Sequence, residues 1–287
     1  MFAVMSEPVV RRLLIDLDTP PSRHWCGGDA FRTAWFNALS MSFPVGEQFF
    51  IDAVRAGVQA LPEAERARFE PVIKAFVGQE ATHRRIHTLF NAHLAAKGLH
   101  NHWEVRALRR MKRLEGADVR AGVGATAATE HLTAILAEYL LSDPSALVGT
   151  EPRLATLWLW HASEETEHRA TAFDLYRALG GNELWRLRLF RLVTWHFLSD
   201  ALRQTVNNLW HDGSFWRWRT WTSGWRFLFG RGGMLRVLAG PWAHYRRTDF
   251  HPLQQDESRA ESWLRANAAQ FEVVSRPLQG SAAGATT

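Results

Sequence analysis

The chain has 287 residues, 46% hydrophobic and 22% charged, which excludes wholesale disorder and allows a sizeable core. The formal charge is +5, from 34 basic and 29 acidic residues. One cysteine, Cys26, excludes an internal disulfide framework and any zinc site built on several thiolates. Only Lys74, Lys97 and Lys112 are lysine; the other basic residues are arginine. The start MFAVMSEPVVRRLL has no apolar run behind a basic stretch, so no signal peptide is expected. No window approaches the ~20 apolar residues of a spanning helix. The expected location is cytoplasmic, with contact to a membrane surface.

The expected fold is all-α, because apolar residues recur at helical spacing and period-2 alternation is scarce. Residues 1–28 precede the first helix as an N-terminal segment. That helix runs from about Asp29 to Ala60, with an interruption at Pro44 and Gly46. The second runs from Pro62 to Ala96 and is closed by Gly98. A short basic helix, Trp103 to Leu114, leads to a third long one, Ala117 to Leu141, stopped by Ser142-Asp143-Pro144. The fourth runs from Pro152 to Leu179 and is stopped by Gly180-Gly181. Residues 29–182 are thus one bundle, 183–270 a helical extension, and 271–287 a disordered tail.

Acids and histidines repeat across the four long helices. The first carries Glu47, in FPVGEQFF, and the second Glu80 and His83, in GQEATHRRIH. The third carries Glu130, in TEHLTA, and the fourth Glu165 and His168, in HASEETEHR. The order is Glu, Glu-x-x-His, Glu, Glu-x-x-His, with nearly equal spacing in each half. Residues three apart on a helix share a face, so each pair points one carboxylate and one imidazole at the same place. Four buried carboxylates without countercharge would be very costly, and two cations would neutralise them. This is the ligand set of ferritin-like di-iron and di-manganese four-helix bundles. The expected cofactor is two Fe ions, with Mn or a mixed Mn/Fe pair as the alternative.

Other polar residues sit close by. Glu164 shares a face with His168, but its spacing fits the repeat less well than that of Glu165. Glu138 competes with Glu130 at a poorer spacing. His87 lies one turn beyond His83 and His161 one turn before Glu165. Each of these two is an extra ligand, an outer partner orienting a carboxylate, or a hydrogen-bonded core histidine. Glu164, Glu167 and Glu138 are read as outer partners or a solvated face, with Glu164 as an extra ligand the alternative. His131 points about 100° away from Glu130 and is read as structural.

The stretches FNALSMSFPVGEQFF, FVGQEATHRRIHTLFN, EHLTAILAEYLL and WHASEETEHRATAFDLY resemble the bacterial predicted metal-dependent hydrolases, placed in the ferritin-like superfamily. The DFHP segment at Asp249 is also similar. The resemblance covers roughly Ile15 to Asp256. It implies a ferritin-like bundle with metal ligands at Glu47, Glu80, His83, Glu130, Glu165 and His168.

The extension has another character. Residues 185–247 hold eleven Arg, no Lys, two acids and eight of the fourteen Trp. Arg and Trp on amphipathic helices suit a lipid headgroup boundary. Packing on the bundle, with Arg reaching solvent, is the plainer alternative. Nucleic acid is disfavoured, since no recognised motif is present.

The functional reading is a dinuclear non-haem iron or manganese carboxylate enzyme that oxidises a hydrophobic or lipid-like substrate with dioxygen. One alternative is a metal-dependent hydrolase using a metal-bound water. The other is a non-catalytic metal-binding protein of the membrane surface. The partners expected are a small hydrophobic substrate and an anionic membrane surface, with a homo-dimer allowed.

Overall fold

A computed structural model describes residues 7–275. Among them ten α-helices and one two-stranded sheet form, so the chain is all-α in class. Helix α1 spans Ala30–Gln59, and Asp29 caps it by accepting from the Arg32 amide. Helix α2, Glu63–Ala96, opens after Pro62 with Glu63 and Glu65 in its first turn, where acids favour the helix dipole. It closes at Gly98, whose φ of 79° suits glycine. Asn101 caps α3, His102–Met111, and Asp118 caps α4, Val119–Ser142. Pro152 occupies the first turn of α5, Pro152–His168. Then follow α6 (Thr171–Ala178), α7 (Glu183–His211), α8 (Trp218–Phe229), α9 (Met234–His244) and α10 (Ser258–Ala266).

Helix α1 packs along α2, and α4 packs along α5 and α6. The two pairs meet where α1 contacts α4. Phe36, Val54, Phe76, Phe90, Val123 and Leu157 are among the buried residues that bind them into one core. Helix α7 lies against α1 and α4 and buries Leu189, Phe190, Ala201 and Leu209. Helix α8 crosses α1 at Gly224, where a Cβ would stand 2.4 Å from the Phe31 ring. Helix α9 covers α4, and α10 covers α5.

Three expectations about elements need correction. Helix α1 continues through Pro44 and Gly46 without interruption. Proline has no N–H to give the carbonyl four residues back, and an unmet carbonyl usually breaks the helix. Here the Asn91 side chain donates to the Ser40 carbonyl at 2.9 Å, and Asn101 donates to the Met41 carbonyl at 2.7 Å. The fourth long helix is two helices. Arg169, buried at the break, donates from Nη1 to the Thr166 carbonyl and from Nε to Pro252. That takes a carbonyl which a continuing helix would use.

The tail also needs correction. Its first residues, Phe271–Ser275, form strand β2, antiparallel to β1 (Val10–Leu13). Residues 276–287 of the expected tail lie outside the described residues. The β1 strand rests on α2 at Gly78, where a Cβ would stand 2.5 Å from Val10 Cγ2.

Candidate metal centre

The polar residues that the sequence pattern selects converge in the interior. Glu47 comes from α1, Glu80 and His83 from α2, Glu130 from α4, Glu165 and His168 from α5. All six are buried. Their donor atoms, with those of His161, form three overlapping groups, each within 4.8 Å. The groups are Glu80–Glu130–His168, Glu80–His83–Glu165 and Glu47–His83–His161. Glu80 and His83 are each shared by two groups, so the site is continuous.

The atoms that face inward lack hydrogen-bond partners. They are both carboxylate oxygens of Glu47, Glu80 and Glu130, Oε2 of Glu165, Nδ1 of His83 and Nε2 of His168. Leaving buried polar atoms unpaired costs roughly 1–3 kcal/mol each, and more for charged groups. Such a concentration at one place fits a bound cation. His168 Nε2 approaches Glu80 and Glu130 at 3.3 Å and Glu165 at 3.4 Å.

An outer layer orients the two histidines. His83 Nε2 lies 3.0 Å from Glu164 Oε2, which leaves Nδ1 facing the cluster. His168 Nδ1 lies 3.1 Å from Gln79 Oε1, which leaves Nε2 facing it. Arg11 of β1 donates to Glu164 at 3.1 Å and to both oxygens of Glu167 at 2.8 Å. Gln79 Nε2 also donates to Glu167, at 2.8 Å. A carboxylate or amide behind a ligating histidine sets its tautomer and ring angle.

A second run of hydrogen bonds bears on the protonation of His161. Asn91 Oδ1 can only accept, so the Ser40 hydroxyl, 2.7 Å away, gives it its proton. Ser40 Oγ therefore accepts from His87 Nδ1 at 2.8 Å. Burial and neighbouring imidazoles hold His87 well below the ordinary histidine pKa, so its Nε2 is an acceptor. His161 Nδ1, 2.7 Å from it, must then carry the proton. Burial and His83 hold His161 down to about 4, so its Nε2 keeps a lone pair at neutral pH. That lone pair points at Glu165 Oε1, 2.9 Å away. Two acceptors this close repel, and a cation beside them removes the repulsion.

The electrostatics of the cation-free cluster are lopsided. Burial pushes Glu47 and Glu80 well above the ordinary carboxyl range, helped by neighbouring carboxylates. Burial pushes Glu130 up to about 8 against the pull of His168. Glu165 goes the other way: burial raises it, but the neighbouring charge of His168 holds it well below. His168 is raised, since Glu130 and Glu165 outweigh its burial. Glu130 thus holds a proton at neutral pH that a metal would displace.

A cavity of about 390 Å³ reaches the cluster between α1, α3, α4 and α7. Glu47 lines it together with Phe49, Phe50, Leu189, Val193 and Phe197. Besides Glu47, Arg110, Arg113 and His196 are its charged or titratable lining.

Among the outer candidates, Glu164 stands behind His83, His87 behind His161, and Glu138 turns away to Arg259. His131 packs on Tyr245 and Phe250 in the core. Burial lowers it to about 3. The sequence reading missed Arg11 and Gln79. Nothing in the linear pattern ties Arg11 to residues more than 150 positions away. Gln79 carried one signal, a polar residue beside Glu80 in an otherwise apolar turn.

A family model described as predicted metal-dependent hydrolase matches residues 9–256. No curated protein and no solved structure matches the chain.

Proposed function

The chain belongs to the family of predicted metal-dependent hydrolases, and from that premise we propose a hydrolase that works with two bound cations. Glu47, Glu80, His83, Glu130, Glu165 and His168 are the ligands in this reading, with His161 as a further donor beside Glu47 and His83. The observation that supports it is the set of buried oxygen and nitrogen atoms that face one another without hydrogen bonds. The carboxylate-rich donor set suits iron or manganese better than structural zinc. Cations held there would supply Lewis acidity and an activated water for attack on an ester or amide.

The residues around them have their own tasks. Glu164 and Gln79 hold the imidazoles of His83 and His168 in one tautomer each. Arg11 holds Glu164 and Glu167. The apolar walls of the cavity at Glu47 take the hydrocarbon part of a substrate and keep bulk water out.

Those same walls favour a second reading, oxidation of a hydrophobic substrate by dioxygen, because they bring hydrocarbon to the cluster. One experiment separates the two. Protein loaded with manganese or zinc is assayed on acyl esters and amides in the absence of oxygen. Oxygen-independent cleavage, lost in Glu80→Ala, is the expected result. Rapid oxygen uptake by the Fe(II)-loaded protein without any cleavage would replace the hydrolase with the oxidase. Two bound metals with neither activity would leave a metal-binding protein and overturn both.

A further inference from the structure

Helix α7 is apolar on two opposite sides. Its inner side buries Leu189, Phe190, Ala201 and Leu209 against α1 and α4. Leu184, Arg188, Arg191, Trp195, Leu198 and Leu202 recur every three or four residues, so they share one face. All six are exposed, Trp195 by 68%. A stripe that sets four large apolar groups beside two guanidinium groups is unusual for a water-facing helix. Helix α8 repeats the arrangement. Trp218 and Trp225 are 78% and 66% exposed, and Phe229 follows one turn later, with Arg226 beside Trp225. Trp210 and Trp216, both exposed, meet at 5.9 Å where the two helices connect.

The charge on this surface is one-sided. The acids of α7 and of the turn to α8 are already paired. Glu183 meets Arg177 and Arg186, Asp200 meets Arg106 and Arg110, and Asp212 meets Arg23. Helix α8 contains no acid. The exposed arginines therefore face outward, and α7, α8 and the turn between them hold no unpaired carboxylate to neutralise them.

We propose that the outer faces of α7 and α8 dock on an anionic lipid bilayer, with Trp195, Trp218, Trp225 and Phe229 in the headgroup–acyl boundary and Arg188, Arg191 and Arg226 on lipid phosphates. Trp favours that boundary, and Arg beside it meets phosphate while its stem stays apolar. A second copy of the chain fits poorly, because a symmetric contact would bring two Arg-bearing faces together with no free acid on either to pair with. Nucleic acid fits poorly as well. Leu184, Leu198 and Leu202 neither stack on bases nor meet phosphates, whereas acyl chains accept them. Contact is peripheral, since no described helix is long and apolar enough to cross a membrane. Leu192, exposed on this side of α7, also lines the cavity that reaches Glu47. The docked face therefore borders a route for a lipid-derived molecule.

The test is co-sedimentation of the full chain with vesicles of phosphatidylcholine, with and without phosphatidylglycerol. Binding should need the anionic lipid at low salt and weaken as salt shortens the screening length to ~8 Å. Each surface Arg adds a factor of about five, so Arg188→Gln, Arg191→Gln and Arg226→Gln together should lower partitioning about a hundredfold. Trp195→Ser, Trp218→Ser and Trp225→Ser should remove the salt-resistant remainder. Both triple variants should keep the wild-type circular dichroism, because the changed residues are exposed. Negligible binding to both vesicle types at low salt would overturn the proposal. So would tighter, Trp-dependent binding to single-stranded DNA, or a dimer that the Trp variants dissolve.

Discussion

Two buried carboxylate sites in this chain have opposite chemistry. Asp200 of α7 is fully buried, and each of its oxygens meets a guanidinium, Arg106 on one side and Arg110 on the other. Glu47, Glu80 and Glu130 are equally buried, and none of their oxygens has a hydrogen-bond partner. At Asp200 the protein provides its own countercharge, and the result is a clamp between α3 and α7. At the Glu cluster no Arg or Lys among the described residues meets these oxygens, which suits a cation bound from outside the chain. Burial of an acid therefore says little about its role. The presence or absence of a built-in cation separates a clamp from a binding site.

The largest break of this comparison is at the cluster. Glu80→Gln with Glu165→Gln should lower metal content from two ions to one or none, without unfolding the protein. Elemental analysis after dialysis reads it, and two full equivalents in the double variant would remove these residues from the ligand set. Asp200→Asn should do the reverse, keeping the metal while costing about 3 kcal/mol, because it strips two guanidinium groups of their partner. Urea denaturation measures that cost, and an unchanged midpoint would mean that the clamp is slack.

Smaller effects sharpen the picture. Arg11→Gln frees Glu164 and Glu167 and loosens the ring of His83. Metal affinity should fall about 10–100-fold while stoichiometry stays the same. Competition with a chromophoric chelator gives the number, and unaltered affinity would reduce Arg11 to a structural tie between β1 and α5.

The smallest effect is on pH dependence. Glu130 is pushed up to about 8, so at pH 6 to 7 it carries a proton that a metal must displace. Affinity should therefore rise with pH and level off above about 8, at most tenfold per unit for each proton released. Stability of the metal-free protein has the opposite slope. A carboxyl raised in the folded state binds its proton more tightly than in the unfolded chain. Stability is then greatest below the unfolded pKa and is lost as pH rises through about 8. Titration calorimetry in two buffers of different ionisation heat counts the protons. Flat affinity from pH 6 to 8 would show that Glu130 is already ionised before the metal arrives.

The linear pattern was enough to place the helices that carry the clustered Glu and His residues and to pick those residues out. Three-residue spacing on a helix is a local property, and two equal Glu…Glu-x-x-His hairpins repeat it. It was also enough to mark residues 185–247 as chemically distinct. What it could not decide was everything that depends on partners far apart in the chain. Helix α1 survives Pro44 because Asn91 and Asn101 reach its free carbonyls. The fourth long helix breaks at Arg169 because carbonyls near Pro252 draw the guanidinium in. Strand β2 forms because β1 offers it an edge, and pairing between residues 10–13 and 271–275 leaves no local periodicity to read. The positions of Arg11, Gln79 and His161 follow from that same long-range packing. Hydrogen-bond chains fix which nitrogen of an imidazole faces inward, and only the folded chain assembles them.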